Sequence, residues 1–140
     1  MNLLGTWYNE LGSTLVIDSV ANGQLTGSYI TPVSAAAGVQ GRFALTGQTD
    51  VDSGGEAIAF VVCWRNQEFQ CKSITAWSGQ AQTLNGDDVI TSFWLLTVES
   101  SPTDDWYATH VGQDVFWRDQ RKATQAGPRL RTVRAAHPSR

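Results

Sequence analysis

Hydrophobic and polar positions alternate along this chain in short runs that turn residues interrupt. The runs are rich in β-branched and aromatic residues, and the dipeptides Asn22-Gly23 and Asn85-Gly86 separate neighbouring runs, as does Ser-Gly-Gly at 53–55. Such signals are typical of strands joined by tight turns. No stretch has a convincing helical period. The pattern predicts strands at residues 6–9, 14–20, 24–31, 42–50 and 56–64, in the return of a hairpin spanning 63–80, and at 89–99 and 111–119.

Eight short strands joined in sequence favour an all-β fold, an eight-stranded antiparallel up-and-down β-barrel. Eight strands are enough to close a barrel around one small ligand. A lipocalin-like barrel, which would carry another small apolar ligand, has the same strand count and remains an alternative. We expect the barrel domain to occupy residues 1–120 and a basic C-terminal tail to occupy residues 121–140.

Two of the predicted strands are apolar on both faces. They lie at residues 56–64 and 91–98, where Ile58 and Phe60 alternate with alanine and valine, and Trp94 alternates with Phe93 and Leu95. A barrel in water should show polar residues on its outside, so apolar residues on both faces indicate that another surface covers the wall. The pattern therefore predicts a homo-oligomer that associates through barrel walls.

The hairpin at residues 63–80 combines hydroxyl groups with indoles. In an extended strand, residues of one parity point to one face. Buried hydroxyls need partners, whereas a cavity for a polar ligand favours hydroxyls beside an aromatic wall. We interpret the hairpin as the lining of a pocket, with Trp64 as a second wall; an ordinary hairpin with two core tryptophans is the alternative. The residues of the shared parity are Cys71, Ser73, Thr75, Trp77 and Gly79.

The two cysteines flank the tip of this hairpin. Cys63 and Cys71 are separated by seven residues, a spacing that fits a disulfide across the loop and an oxidising compartment. Parity argues against the bridge, because Cys63 is out of phase with Trp64 while Cys71 is in phase with Trp77. We nevertheless expect the disulfide. No further zinc ligands lie nearby, so we expect no metal site.

Charge is distributed unevenly along the chain. Residues 1–120 hold all thirteen acidic residues and four basic ones, whereas residues 121–140 hold six basic residues and no acidic one. An acidic body argues against sequence-independent DNA binding, and no apolar run approaches the ~20 residues of a membrane helix. We therefore expect neither nucleic acid nor membrane as a partner. The first residues become polar too soon for a secretory signal, so an exported protein would have lost its signal.

Five short motifs follow one another along the chain: GTWYNELGST (5–14), LTGSY (25–29), SITAWSGQ (73–80), FWLLT (93–97) and VGQDVF (111–116). In this order and register they resemble the avidin–streptavidin family of biotin-binding proteins. They span about residues 4–117. The resemblance implies non-covalent, high-affinity biotin binding, with biotin as ligand, no cofactor and no catalysis. An enzyme built on His110, Asp114 and Cys63 would lack a nucleophile elbow.

The resemblance also implies a role for each site residue. Asn9, Ser13 and Tyr29 would donate to the ureido oxygen of biotin, as in an oxyanion hole used for binding. Asp114 and Thr31 would take the two ureido N–H groups, and the Thr75 hydroxyl would face the sulfur. Ser73, with Ser34 and the Ala35 N–H, would hold the valerate carboxylate. The apolar contacts would come from Trp64, Trp77 and Trp94, with Leu11, Val33 and Leu96 nearby.

Trp106 matches the tryptophan that a neighbouring subunit inserts into the pocket in this family. Its presence favours a tetramer over a dimer, and the resemblance implies a secreted or periplasmic protein. The loop after Tyr29 departs from the family pattern, because Ala36 lacks a hydroxyl found in the avian prototype. In a second departure, Cys71 at the hairpin tip stands where a small residue near the ligand tail is expected. Specificity for biotin is therefore expected, while the affinity is left open.

Overall fold

The computed structural model describes residues 1–31, 41–50, 56–67, 70–126 and 133–134. Within them, eight antiparallel strands follow each other in sequence order, and pairing of the first with the eighth closes the barrel. The predicted all-β, eight-stranded antiparallel barrel is confirmed. The strands are β1 Gly5–Asn9, β2 Thr14–Ala21, β3 Gln24–Thr31, β4 Gly41–Thr49, β5 Ala57–Arg65, β6 Gln70–Leu84, β7 Asp87–Val98 and β8 Thr109–Trp117.

Two of the predicted tight turns join strands directly. Asn22 and Gly23 between β2 and β3 have φ values of 51° and 77°, and Asn85 and Gly86 between β6 and β7 have 52° and 84°. Two left-handed residues in succession form the turn whose twist matches that of a hairpin. Both predictions are confirmed. The predicted turn at 53–55 and most of the loop predicted at 33–41 lie outside the described residues.

Four elements differ from the prediction. β6 runs past residue 80 because its ladder with β7 continues to the pair Leu84↔Asp87. Only Ala81 of this extension is buried, which is too little apolar alternation for a sequence to reveal. A 3₁₀ helix covers Pro102–Tyr107, and α1 covers Gln120–Ala126. Helix α1 was missed because it buries only Ala123 and so has no apolar period. A short strand, β9 Val133–Arg134, pairs with β8 opposite His110 and Val111.

The inner face of the barrel is apolar over most of its length. Trp7 is fully buried there; its indole N–H donates to the Leu3 carbonyl at 3.0 Å, and the Arg118 guanidinium lies 3.7 Å from the ring centroid. Burial of these side chains provides the main folding energy. The remaining core includes Leu15, Ile17, Leu25, Phe43, Leu45, Ile58, Phe60, Val62, Ile90 and Phe116.

The outer wall carries the apolar residues that the sequence placed there. One row of cross-strand neighbours runs Val61↔Ala76↔Leu95↔Val111 over β5 to β8. Leu95 in this row is 52% exposed, and Phe93, two residues earlier on β7, is 68% exposed. An open depression on this wall is lined by these side chains together with Ala59 and others. The prediction that strands 56–64 and 91–98 are apolar on both faces is confirmed.

Candidate functional site

The turn between β1 and β2 fixes the orientation of Asn9. Its Oδ1 accepts the backbone N–H groups of Leu11 at 3.1 Å and of Ser13 at 2.8 Å. Gly12, with φ of 84°, permits this tight return. Because the amide oxygen is occupied, the amide nitrogen points into the barrel, where Nδ2 donates to the Tyr29 hydroxyl at 3.3 Å. Asn9 is therefore held as a donor beside Tyr29.

Tyr29 lies at the centre of the buried polar cluster. Its ring stacks on Trp77 at 5.0 Å and meets Trp64 edge-on at 5.6 Å. Burial raises the pKa of Tyr29 far above its usual value, and the negative charge of Asp114 adds to the shift, while hydrogen bonds with Ser13 and Asn9 oppose it. The phenol consequently keeps its proton and can donate a hydrogen bond.

Asp114 on β8 is a buried carboxyl group with one oxygen in use. The Trp77 indole N–H donates to Oδ2 at 2.8 Å, and the side chain is 3% exposed. Oδ1 is buried and has no hydrogen-bond partner within the described part of the chain. Burial raises the pKa of Asp114 to about 6, and the charge of Glu10 adds to this shift, while hydrogen bonding with Trp77, and to a smaller extent with Trp94 and Asn9, lowers it. An unsatisfied buried acceptor costs about 1–3 kcal/mol, so Oδ1 marks where a ligand donor would be stabilised.

Three tryptophans surround these polar groups. Trp64 on β5 donates its indole N–H to the Thr75 hydroxyl at 2.8 Å. Trp77 on β6 pairs across the ladder with Trp94 on β7. Trp94 packs against the backbone at Gly112, where a Cβ atom would lie 2.2 Å from the ring. A residue without a side chain is therefore required at 112 to admit this wall.

Two phenylalanines form a floor that sequence reasoning missed. Phe60 stacks on Trp77 at 4.9 Å, and Phe116 lies 6.2 Å from Phe60 and 6.4 Å from Tyr29. Parity could have identified both, because Phe60 shares the face of Trp64 and Phe116 that of Asp114. Together they pack against Trp77 and Tyr29, and both belong to the hydrophobic core.

Two polar residues of the site were also missed. The Ser92 hydroxyl donates to the backbone carbonyl of Asp114 at 3.1 Å. The Glu10 carboxylate accepts the Val115 backbone N–H at 3.3 Å. A serine on a strand and a glutamate beside Asn9 carry no sequence signal for such contacts, because both contacts depend on strand pairing.

The other predicted site residues are dispersed along the path to the barrel mouth. Thr31, Ser73 and Leu96 have the inner parity of β3, β6 and β7 and are half-buried, while Leu11 is 51% exposed at the turn. Trp106 lies in the 3₁₀ helix with its ring 3.6 Å from that of Tyr107. Val33, Ser34 and Ala35 lie outside the described residues.

Cys63 and Cys71 are free thiols, so the structure does not contain the predicted disulfide. Cys63 is exposed and pairs with Ile74 on the outer face, whereas Cys71 is half-buried on the parity of Ser73. Side chains on opposite faces of a sheet cannot be bridged without moving the backbone. The same placement separates Cys63 from His110 and Asp114, the residues of the catalytic alternative.

The donors and the carboxylate of the cluster suit a neutral chemical group that carries N–H donors as well as a carbonyl oxygen. Asn9 and Tyr29 carry protons to donate, and Asp114 has an oxygen to accept. No group of three or more metal-ligating side chains occurs in the described ranges. None of the helices within those ranges has the length and apolar character needed to cross a membrane.

A closed antiparallel barrel with hydrogen-bonding groups buried among indoles is a small-molecule-binding protein. The chain belongs to the avidin family, whose model matches residues 1–119. It is 35% identical to avidin of Gallus gallus over 122 residues, which is 84% of this chain and 78% of avidin. It is also 35% identical to avidin-related protein 4/5 of Gallus gallus over 84% of this chain and 77% of that protein. Afifavidin of Afifella pfennigii is 30% identical over 79% of this chain and 65% of its own length.

Membership of the avidin family supports biotin binding, and avidin-family proteins are binding proteins rather than enzymes. The lipocalin-like alternative is not favoured. It required a pocket without a carboxylate and Asp114 on the outside, whereas Asp114 is buried among Trp77 and Tyr29.

Proposed function

We propose that this protein binds biotin non-covalently and with high affinity in the pocket at the mouth end of the barrel. The ureido ring occupies the buried cluster, and the valerate chain runs along the inner face toward the mouth. The ureido carbonyl accepts from Asn9, Ser13 and Tyr29, while Asp114 and Thr31 take the two ureido N–H groups. The ligand carboxylate is held by Ser73, Ser34 and the Ala35 N–H.

The observation that carries this proposal is the half-satisfied carboxylate of Asp114. Oδ2 accepts from Trp77, and Oδ1 is buried with no partner among the described residues. The Asn9 and Tyr29 donors lie within the same cluster. A cyclic urea supplies both the N–H that Oδ1 needs and the carbonyl that those donors need. Donation to the oxygen makes the ureido N–H a stronger donor, so the two sets of bonds reinforce each other.

Ligand fragments test which part of biotin this cluster recognises. We expect biotin to raise Tm strongly, since a ligand that binds only the folded state stabilises it. 2-Imidazolidinone, the ureido ring alone, should raise Tm at millimolar concentration, and valeric acid should not. The absence of any shift at saturating biotin would reject the proposal.

A tyrosine pair tests the donor role. Tyr29→Phe removes one donor to the ureido oxygen and should weaken biotin binding by about 1–3 kcal/mol, the cost of leaving a buried polar group unpaired. Tyr8→Phe is the matched control, because Tyr8 has the opposite parity of β1 and should keep the parent affinity. Calorimetric titration of both variants measures the difference, and equal losses would contradict the assignment.

We further propose that the protein is a homotetramer assembled through the apolar outer wall. Phe93 and Leu95 are more than half exposed on this wall, beside the row of cross-strand neighbours at Val61 and Val111. Phe93→Glu should shift the protein to smaller species in light scattering. Ser19→Glu, an exposed change on β2, should leave the mass unchanged.

Trp106 completes the pocket of a neighbouring subunit in this assembly. Trp106→Ala should weaken biotin binding by about 2–4 kcal/mol, as for a desolvated aromatic anchor, and should leave the barrel folded. Thr103→Ala in the same 3₁₀ helix is the control. Equal biotin dissociation rates in the Trp106 variant and the parent would refute the role across subunits.

Secretion or a periplasmic location rests on the family resemblance alone. Fractionation of cells that express the gene from its own locus would test it. Recovery of the protein only from the cytoplasmic fraction would refute it.

A further inference from the structure

The seam between β1 and β8 is paired over only a short length. The two strands share the register pairs Tyr8↔Trp117 and Asn9↔Phe116, after which β1 ends at Asn9. β8 begins at Thr109, so most of this edge of β8 lies beyond the end of β1. The next backbone N–H toward the mouth belongs to Val115, which is buried. This group needs an acceptor, because an unpaired buried N–H is costly.

A side chain supplies that acceptor. The Glu10 carboxylate, on the residue directly after β1, accepts the Val115 N–H at 3.3 Å and is 9% exposed. On the other side of β8, the Ser92 hydroxyl donates to the carbonyl of Asp114 at 3.1 Å. The peptide unit that joins Asp114 to Val115 is therefore held from both neighbouring strands.

We propose that Glu10 is a positioning residue for the ligand site, which closes the β1–β8 seam at Val115 and thereby fixes the Asp114 carboxylate for the ligand N–H. The inference rests on the proposed function. Biotin does not contact Glu10 in this arrangement; Glu10 acts through the backbone of its neighbour on β8.

The charge of Glu10 gives this role a second consequence. A neutral glutamine could accept the same N–H, and burying a carboxylate is costly. The negative charge of Glu10 raises the pKa of Asp114. Two effects on this pKa are larger: burial, which also raises it, and the Trp77 hydrogen bond, which lowers it. Tyr29 faces the same carboxyl group from β3, and His110 shares its parity on β8; the neighbours from β6 and β7 are Trp77 and Trp94, which do not titrate. Glu10 thus makes Asp114 a more basic and stronger acceptor.

Two substitutions separate the bond from the charge. Glu10→Ala removes both, so the biotin dissociation rate should rise by about tenfold or more, and amide exchange at Val115 should accelerate. Glu10→Gln keeps an acceptor for Val115, so the rate should rise less and the amide should stay protected. Without the Glu10 charge, however, the pH midpoint at which biotin affinity falls on acidification should move downward.

The control is Glu99→Gln, which removes one negative charge from an exposed ion pair with Lys72 and should leave the midpoint in place. A Glu10→Ala dissociation rate within twofold of the parent, or a Glu10→Gln midpoint equal to that of the parent, would overturn the inference. If Glu10→Ala does not fold, the midpoint of Glu10→Gln decides alone.

Failure of the proposed function gives a different result. If the parent does not bind biotin, that proposal fails, while the role of Glu10 is still measured in the ligand-free protein. In the ligand-free protein, Glu10→Ala should accelerate exchange of the Val115 amide, whereas Glu10→Gln should leave it protected. Both variants should lower the pKa of Asp114 in an NMR titration of its carboxyl carbon. An unchanged Asp114 titration in Glu10→Gln would again overturn the inference.

Discussion

The two halves of the barrel interior are built from the same strands and have opposite chemistry. Below the floor of Phe60 and Phe116, buried side chains are mainly aliphatic or aromatic and pack against one another, and the buried Thr49 hydroxyl donates to the Ala57 carbonyl at 2.9 Å. Above it, Asn9, Tyr29 and Asp114 are equally buried but polar. The lower half follows the rule that buried surface stabilises the fold, whereas the upper half holds a carboxyl group whose burial opposes it.

This contrast teaches where function is held in the protein. A cluster with an unsatisfied buried acceptor costs folding energy that the apolar half must offset. Hydrogen bonds hold the cluster in its geometry: the Ser13 backbone N–H donates to Asn9, and the Trp77 indole N–H donates to Asp114. A ligand that completes the cluster recovers part of this energy as binding affinity. Substitutions in the lower half should thus change stability, and those in the upper half should change affinity.

The largest effect is expected at the floor, which belongs to the hydrophobic core. Phe116→Ala removes a fully buried ring from the floor and should lower the free energy of unfolding by about 3–5 kcal/mol, through lost burial and the cavity left behind. Denaturant unfolding of the ligand-free protein measures the change. A loss below about 1 kcal/mol would show that the floor is not part of the core.

Asp114→Asn should have opposite effects on stability and affinity. In the asparagine variant an NH2 group replaces one carboxylate oxygen and therefore faces either the Trp77 N–H or the ligand N–H, two donors that cannot bond each other, so biotin affinity should fall by about 1.5–3 kcal/mol. Because the pKa of Asp114 is raised from 3.8 to about 6, the carboxyl group stabilises the fold only while it is protonated. Its contribution is complete below about pH 4 and is lost as the pH rises through about 6.

The variant should therefore be more stable than the parent above about pH 6, by up to ~3 kcal/mol, with the difference vanishing below about pH 4. Urea unfolding of both proteins between these values measures it. Asp119→Asn, on the exposed segment after β8, serves as the control and should not reproduce this dependence. A stability difference that stays constant with pH would contradict the assignment to Asp114.

Two glycine-to-alanine substitutions, which each add one methyl group, should distinguish the two halves by their effects on stability and on affinity. A Cβ at Gly47 would lie 2.2 Å from the Ala59 carbonyl oxygen, and one at Gly112 would lie 2.2 Å from the Trp94 ring. Gly47→Ala should destabilise the protein by about 1–3 kcal/mol through overpacking with little change in affinity. Gly112→Ala should displace a wall of the pocket and weaken biotin binding. Equal affinities in the two variants would contradict the distinction.

The smallest effect is expected outside both halves. Gly86 has φ of 84°, and nothing lies within 4 Å of the position of an added Cβ. Gly86→Ala should therefore cost about 1 kcal/mol through backbone strain alone and leave biotin affinity unchanged. Thermal unfolding and titration of the variant measure both, and a change in affinity would show that the turn communicates with the site.

The sequence predicted the barrel and the hairpin wall of the site because both depend on local pattern. Alternation places Thr75 and Trp77 on one face whatever the rest of the fold does, and Asn-Gly pairs determine turns within four residues. The roles given to Asn9, Ser13, Tyr29 and Asp114 came from the family resemblance and stay predictions. The disulfide was not found, and its parity had already indicated why.

The alternation of side chains and the turn residues by themselves determined the strand order, the inner and outer faces, and the apolar outer wall, because these follow from a two-residue period along one strand. Only the tertiary structure decided that Phe60 and Phe116 meet as a floor, that Glu10 reaches Val115 across the seam, and that one oxygen of Asp114 is left for a ligand. Those contacts join strands distant in the chain, and the closure of the barrel, which no local pattern encodes, sets their distances.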